Sequence, residues 1–408
     1  MSKRMAGVAG LAVLAAAGMI GGCKKPGTID YNRELPPGAS ALRKITDPEL
    51  LPDFRAGFTS QPQDLVAAID GSLAYLGHRS SEKYYPMAGI THAQVVESLK
   101  AFRALVLSAR SGEELQKEIV SRFEVYESVG CDGLGTVLFT GYYTPIFEGS
   151  RTKDGTYKHA LYKLPPDLVK DAEGNCLGRK LADGSLAPYP TRGEIETSGM
   201  LEGQGLELVY LKEKFEAYIC QIQGSAKIRL ADGQMMEVGY AGKNKAPYKS
   251  ISQMLVDEGK IPPARRSLSS MREYFRQHPE EVDRYLQQNP SYVFFQESSG
   301  GPYGSLGVAV TPGRSLATDK SIFPRACLVY AVTAIPGSAS APTETRAFEQ
   351  FMLDQDTGGA IRAAGRADIY LGTGEEAGRI AGWTASEGRL YYLVLKPEMM
   401  TGAKTASR

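Results

Sequence analysis

Beyond Asn289 the chain loses helical periodicity. Short apolar runs at 291–295, 307–310, 326–332, 351–353, 367–370 and 390–396 alternate with glycine-rich turns. A parallel α/β sheet needs crossovers of a dozen residues or more, usually helical. Short strands joined by turns point instead to a small β-barrel. Upstream the pattern reverses. From Gln63 to about Glu127 apolar residues recur at helical spacing, with Leu65, Ala68, Ile69 and Leu73 on one face. Val95, Leu99, Phe102, Leu105 and Val106 form a second such face, and Tyr84-Tyr85-Pro86 separates the two. At Gly135 the period becomes two, as Val137, Phe139 and Tyr143 alternate toward Pro145. Between these halves come Gly/Asp turn signals, expected strands at 206–211 and 217–222, and helical spacing at 248–260 and 264–288. The fold class expected is mainly β with helices, α+β.

A length of 408 residues suffices for two domains with their own cores. A net charge of +1, from 47 basic and 46 acidic residues, gives no global field toward nucleic acid. The N-terminus reads as a processing signal. Lys3 and Arg4 precede an apolar run at 5–19 that is too short for a good membrane span. Ile20-Gly21-Gly22-Cys23 resembles a bacterial lipobox, which implies that 1–22 is removed and Cys23 carries lipid. The alternative is an ordinary signal peptide with an incidental cysteine. Residues 23–62 read as anchor and tether, and 401–408 as a disordered tail.

Cys131, Cys176, Cys220 and Cys327 allow three pairings, among which the sequence does not choose. Cys131 and Cys176 lie in loop-like surroundings where an oxidising compartment permits a bridge. Cys220 is expected as a buried thiol in a strand. With no CxxC and four histidines, no metal site is expected. Gly372-Thr-Gly374-Glu-Glu-Ala-Gly378 fits neither a GxGxxG nor a P-loop pattern, so no cofactor is expected.

The stretch richest in chemistry is Asp354-Gln-Asp356-Thr-Gly358-Gly359, a strand ending in two carboxylates and a glycine turn. Carboxylates beside unshielded backbone N–H groups suit acid/base work on a polar ligand. The bland alternative is an Asx-turn capped by Asp356.

The run Asp356-Thr-Gly-Gly-Ala-Ile-Arg362, with Asp368-Ile-Tyr370 and Gly372, resembles the signature of the 3D (three-aspartate) domain. The third aspartate is Asp319, in Arg314-Ser-Leu-Ala-Thr-Asp319. Four upstream motifs narrow the resemblance, over about 141–397, to the membrane-bound lytic murein transglycosylase A family. They are Phe139-Thr-Gly-Tyr-Tyr-Thr144-Pro145, Gln223-Gly-Ser225, Tyr240-Ala-Gly-Lys-Asn244 and Asn289-Pro-Ser-Tyr-Val-Phe-Phe295.

The resemblance implies two domains with a groove between them. The main one, 63–145 and 289–400, contains a double-psi β-barrel, with the 3D region at about 305–396. A smaller β-rich domain is inserted at 146–288. It also implies cleavage of the β-1,4 bond between N-acetylmuramic acid and N-acetylglucosamine, forming 1,6-anhydromuramic acid ends. The muramic C6 hydroxyl is then the acceptor, so one aspartate, matched by Asp356, serves as acid and then base. Asp319 and Asp368 are expected to keep Asp356 protonated. Tyr142, Tyr143, Thr144, Gln223, Ser225, Asn244, Gly358 and Gly359 are expected to bind substrate. Tyr143 also suits a core, Gln223 and Ser225 a polar turn, and Trp383 a core more than a sugar platform.

Two rival functions remain at this level. One is a glycoside hydrolase using Asp354 and Asp356, whose spacing is nearer retaining than inverting geometry. The other is a non-catalytic murein-binding lipoprotein. The expected partners are peptidoglycan strands, the membrane through Cys23, and other cell-wall enzymes, for a monomeric protein. Lys24 in place of Asp after the lipidated Cys23 implies the outer membrane, facing the periplasm.

Overall fold

Six strands close into a ring in the computed structural model of the chain, which describes residues 29–172, 174–262 and 268–400. They are β1 (Val137–Thr144), β2 (Ser315–Ala317), β3 (Leu328–Pro336), β4 (Thr345–Asp356), β5 (Arg366–Thr373) and β6 (Ala385–Leu395). Around the ring β6 pairs with β3, β3 with β4, β4 with β2, β2 with β5, β5 with β1, and β1 returns to β6. The β2–β4 and β1–β5 pairings are parallel and the other four antiparallel. This is the double-psi β-barrel, and closure removes free edges from the ring.

The barrel is wrapped as well as filled. Leu328 to Ala331 on β3 and Phe351 to Leu353 on β4 are completely buried, without the alternation of a half-solvated strand. Their outer faces lie under the helices Gln63–Leu76 and His92–Ser108, whose Leu65, Ile69, Leu99 and Phe102 join the same core. A Thr91/Gln94 capping box starts the second helix. The strand Phe123–Ser128 continues the sheet from β6 and pairs in turn with Leu42–Lys44.

That last pairing corrects the expected tether. From Leu42 onward, residues assigned to it are part of the fold, and Phe54 is fully buried against Tyr330 and Phe351. A single anchoring aromatic in a short irregular segment has no period for pattern reading to detect.

The second sheet runs Val293–Ser298, Met235–Lys243, Ser225–Leu230, Ile146–Ser150, Glu207–Leu211, His159–Tyr162. A bridge from Lys163 to Phe295 links its two ends, so the sheet curls toward closure. It has its own core, which includes Phe147, Leu161, Val209, Ile228 and Phe295. A three-stranded sheet, Leu168–Lys170, Cys176–Lys180 and Leu186–Ala187, adjoins it.

Val293–Ser298, assigned by sequence to the barrel half, pairs with Met235–Lys243 and completes the inserted sheet. Alternation identifies a strand but not the sheet it joins. Residues 217–222, expected as a strand, lie in the helix Lys214–Gln223, which buries Phe215 and every residue from Ala217 to Gln221. A helix buried nearly all round shows no amphipathic stripe. Cys220 is a buried thiol there. Cys131 and Cys176 are both buried and form no disulfide. Cys131 packs against Gly365, beside the start of β5, whereas Cys176 belongs to the small core of the three-stranded sheet. The expected signal segment, Cys23 and the 401–408 tail lie outside the described residues. Among the described residues no helix is long and apolar enough to cross a membrane.

Candidate active site

β4 delivers two carboxylates to different surroundings because its pairing with β2 slips: Leu316 faces Asp354 and Ala317 faces Asp356, leaving Gln355 as a bulge. The buried Gln355 amide accepts from the Ser315 hydroxyl at 2.6 Å and donates to Ala68 O at 2.7 Å, which locks the bulge against the first long helix. Asp354 is fully buried. It is ion-paired with the buried ammonium of Lys320, and accepts the Thr318 hydroxyl at 2.8 Å and the Tyr392 hydroxyl at 2.8 Å.

Asp356 ends the strand with part of its surface open. Its Oδ1 accepts the N–H of Ser305 at 2.8 Å and of Thr357 at 2.8 Å, and Oδ2 accepts the Tyr142 hydroxyl at 2.8 Å. Ser305 reaches it because the loop before it runs against the strand. A Cβ on Gly304 would stand 2.7 Å from Gln355 O, so glycine permits the approach. Burial raises the Asp356 carboxyl above the usual carboxylate range. The donors from Ser305, Tyr142 and Thr357, and the charge of Lys320, oppose that rise without cancelling it.

Asp368, on β5, is the second neighbour. Burial lifts its carboxyl to about 7, with the Asp356 charge adding to the rise. The Thr140 hydroxyl, 2.8 Å away, and Arg366 pull it down. Asp356 and Asp368 thus form an interacting pair across β4 and β5.

Asp319 departs from its expected role. It accepts the N–H and hydroxyl of Ser321 at 3.0 and 2.6 Å and the N–H of Ala363 at 2.9 Å. Burial pushes its carboxyl up, but these donors and the Arg362 charge hold it below the usual range. Its oxygens are taken by these donors, and among the described residues no hydrogen bond joins it to Asp356. It ties the turn after β2 to the loop containing Gly358 and Gly359.

The substrate-binding expectations divide similarly. Tyr142 touches the catalytic candidate directly, and its ring lies 5.2 Å from that of Tyr370. Tyr143 is half-buried against Gly378, while its N–H donates to Gln223 Oε1 at 3.1 Å. Thr144 is buried among the hydroxyls of Ser225 and Tyr370 at 3.4 and 3.1 Å. Gln223, Ser225 and Thr144 thereby fasten the inserted sheet to the barrel at β1. Asn244 is fully buried, with its amide donating to Pro190 O and Pro290 O and accepting from the Tyr292 N–H. Its expected sugar contact is corrected to a structural role, since no bonding capacity is left facing outward. Gly358 and Gly359 follow Asp356 after Thr357, with Gly358 half-buried and Gly359 exposed. Trp383 is 39% exposed at the end of the helix Glu375–Trp383, so it is not a core residue.

Sequence reasoning passed over Thr140, Lys320 and Ser305. The first two stand beside motif residues and could have been weighed with them. Ser305 acts through its backbone N–H, which no residue type reveals. Among the described residues no group of His, Cys, Asp or Glu side chains is placed to hold a metal ion.

Residues 138–296 match the family model described as the MltA specific insert domain, and 314–394 match the 3D domain. A membrane-bound lytic murein transglycosylase A of Escherichia coli strain K12 is 32% identical over 294 residues, covering 71% of this chain and 74% of the relative. The chain belongs to the membrane-bound lytic murein transglycosylase A family. A further member, from Vibrio cholerae, is 34% identical over 273 residues, covering 65% of this chain and 68% of the relative. The crystal structure of a membrane-bound lytic murein transglycosylase from Agrobacterium tumefaciens superposes with a TM-score of 0.73 at 27% identity, covering 88% of this chain and 100% of that one. The E. coli MltA solved with bound chitohexaose shares the family fold, with a TM-score of 0.67 at 24% identity over 92% of this chain and 100% of that one.

Proposed function

We propose that this family member cleaves the β-1,4 bond between N-acetylmuramic acid and N-acetylglucosamine in peptidoglycan, with Asp356 as the single acid and base. The observation that carries the assignment is the contrast at the end of β4. Asp354 is enclosed and neutralised by Lys320, whereas Asp356 is partly open and has a raised proton affinity. Because Oδ1 already accepts two backbone N–H groups, the transferable proton belongs on Oδ2.

From Oδ2 the proton passes to the glycosidic oxygen as the C1–O4 bond breaks, leaving an oxocarbenium-like muramic C1 and a free N-acetylglucosamine O4 hydroxyl. The muramic C6 hydroxyl then attacks C1 and returns its proton to Asp356, which closes the 1,6-anhydro ring. Tyr142 steadies the carboxylate between the two steps by donating to Oδ2. Burial favours the resting acid at Asp356, and Asp368, itself raised to about 7, adds little negative charge beside it below that pH. In this reading Gly358 and Gly359 offer backbone donors to the sugar beside the scissile bond. A two-carboxylate hydrolase would need Asp354 to act on water or on C1, and its ion pair disfavours both.

The proposed division is a barrel half and an inserted half, with glycan held along the junction near β1. The membrane association of the family is assigned to lipid on Cys23, in the outer membrane facing the periplasm. Cys23→Ser should abolish fatty-acid labelling, and continued labelling would sink the anchor. The reaction is tested by mass analysis of sacculi digested with purified protein. Anhydro ends are expected; reducing ends would indicate the hydrolase, and unchanged murein a binding protein only.

A further inference from the structure

Lys243 ends the inserted strand Met235–Lys243, and Arg362 lies in the loop leaving Asp356. They come from opposite halves of the fold, yet their charges act on each other. Partial burial, with the repulsion of Arg362 added, holds the Lys243 ammonium below its ordinary range. The chain after Lys243 also reaches this loop, since a Cβ on Gly359 would stand 3.5 Å from that of Tyr248. Among the described residues the Lys243 ammonium makes no ion pair or hydrogen bond. Arg362 has one close acidic neighbour, Asp319 at 3.9 Å, whose oxygens already accept from Ser321 and Ala363. Lys243 is thus a half-buried cation without an anion of its own, and Arg362 shares Asp319 with three other donors, so a ligand carboxylate beside both is favoured.

We propose that Lys243 and Arg362 form a carboxylate clamp that engages the acidic group borne by the muramic acid residues of the glycan, and so sets which bond meets Asp356. The inference rests on the murein-cleaving function above. In such a strand every second sugar carries a lactyl ether. Its carboxyl is free in denuded glycan and linked to a carboxylate-bearing stem peptide otherwise. A chain of N-acetylglucosamine alone has no such group. The transglycosylase step requires the attacked C1 to belong to muramic acid, so a fixed anchor for the acidic sugar selects alternate bonds and rejects the intervening ones. Charge-assisted bonds from an ammonium and a guanidinium suit that task.

The test measures equilibrium binding of the full chain to labelled glycan strands in three forms: denuded, carboxyl-reduced to the alcohol, and peptide-bearing. The wild type should bind a carboxylate-bearing form about tenfold more tightly than the reduced one, the scale of one charge-assisted hydrogen bond. Lys243→Gln and Arg362→Gln should each erase most of that preference, leave affinity for the reduced strand unchanged, and Lys243→Arg should keep it. Preference for denuded strands identifies the lactyl carboxylate, and preference for peptide-bearing strands alone identifies the stem. Equal wild-type affinity for all three forms overturns the clamp, as does equal weakening of every form by the variants. Product analysis runs separately, so absence of anhydro ends would overturn the catalytic assignment while the binding ratio still judges the clamp.

Discussion

Asp354 and Asp356 stand two residues apart on one strand and share almost nothing else. Asp354 is sealed in a network with Lys320, Thr318 and Tyr392, where its charge is matched and its oxygens are occupied. Asp356 holds its position through two backbone donors and one phenol, retains an open side, and binds its proton more tightly than an ordinary carboxylate. Identical side chains are thus assigned to stability and to chemistry by burial and charge pairing alone. The bulge at Gln355 makes the difference possible by breaking strand regularity between them.

The contrast breaks first if Asp356→Asn is active. Loss of the acid/base should lower anhydromuropeptide release from sacculi by roughly a thousandfold, with folding retained. Asp354→Asn should act on stability instead. It strands the buried Lys320 ammonium beside a neutral amide, and should cost about 3 kcal/mol in denaturant unfolding. Adding Lys320→Met should recover much of that loss; a double variant no better than the single would show that packing, not charge, is at stake.

Tyr142→Phe sharpens the Asp356 side. It should lower turnover about tenfold by removing a bond to the carboxylate. Since that bond lowers the carboxyl's proton affinity, its removal should move the alkaline fall in activity to higher pH. An unmoved limb would mean that another group sets it.

The smallest effect concerns Asp368. Its folded-state carboxyl is raised from 3.8 to about 7, so the folded protein binds this proton more tightly than the unfolded chain does. Its favourable contribution is full below pH 4 and is lost as pH rises toward 7. Asp368→Asn should therefore gain about 1 kcal/mol at pH 8, a figure discounted for its partial exposure, and nothing at pH 3.5. A pH-independent gain would point to packing.

Much of the architecture was legible in the chain. The helical faces at Leu65–Ile69 and Val95–Phe102 pack as their spacing required, and the shift to period two at Val137 marks β1. The helix Lys214–Gln223 was misread because burial on every side erases amphipathic period. Phe54 was missed because one aromatic has no period at all. At the site, motif matching named Asp356, Asp368 and Tyr142; the Tyr142 hydroxyl bonds Asp356, and the Asp356 charge acts on Asp368. It misjudged Asn244 and Asp319, whose polar atoms face backbone groups from distant segments.

By itself the sequence determined most of the strands and the amphipathic helices, and which short polar motifs recur near glycines, since these depend on local spacing and backbone freedom. Only the tertiary structure decided which aspartate is buried with a lysine, which faces the open edge, and which clamps a loop. Proton affinity at Asp356 depends on desolvation and on donors and a charge brought together from residues 142, 305 and 320, and no local pattern encodes those distances.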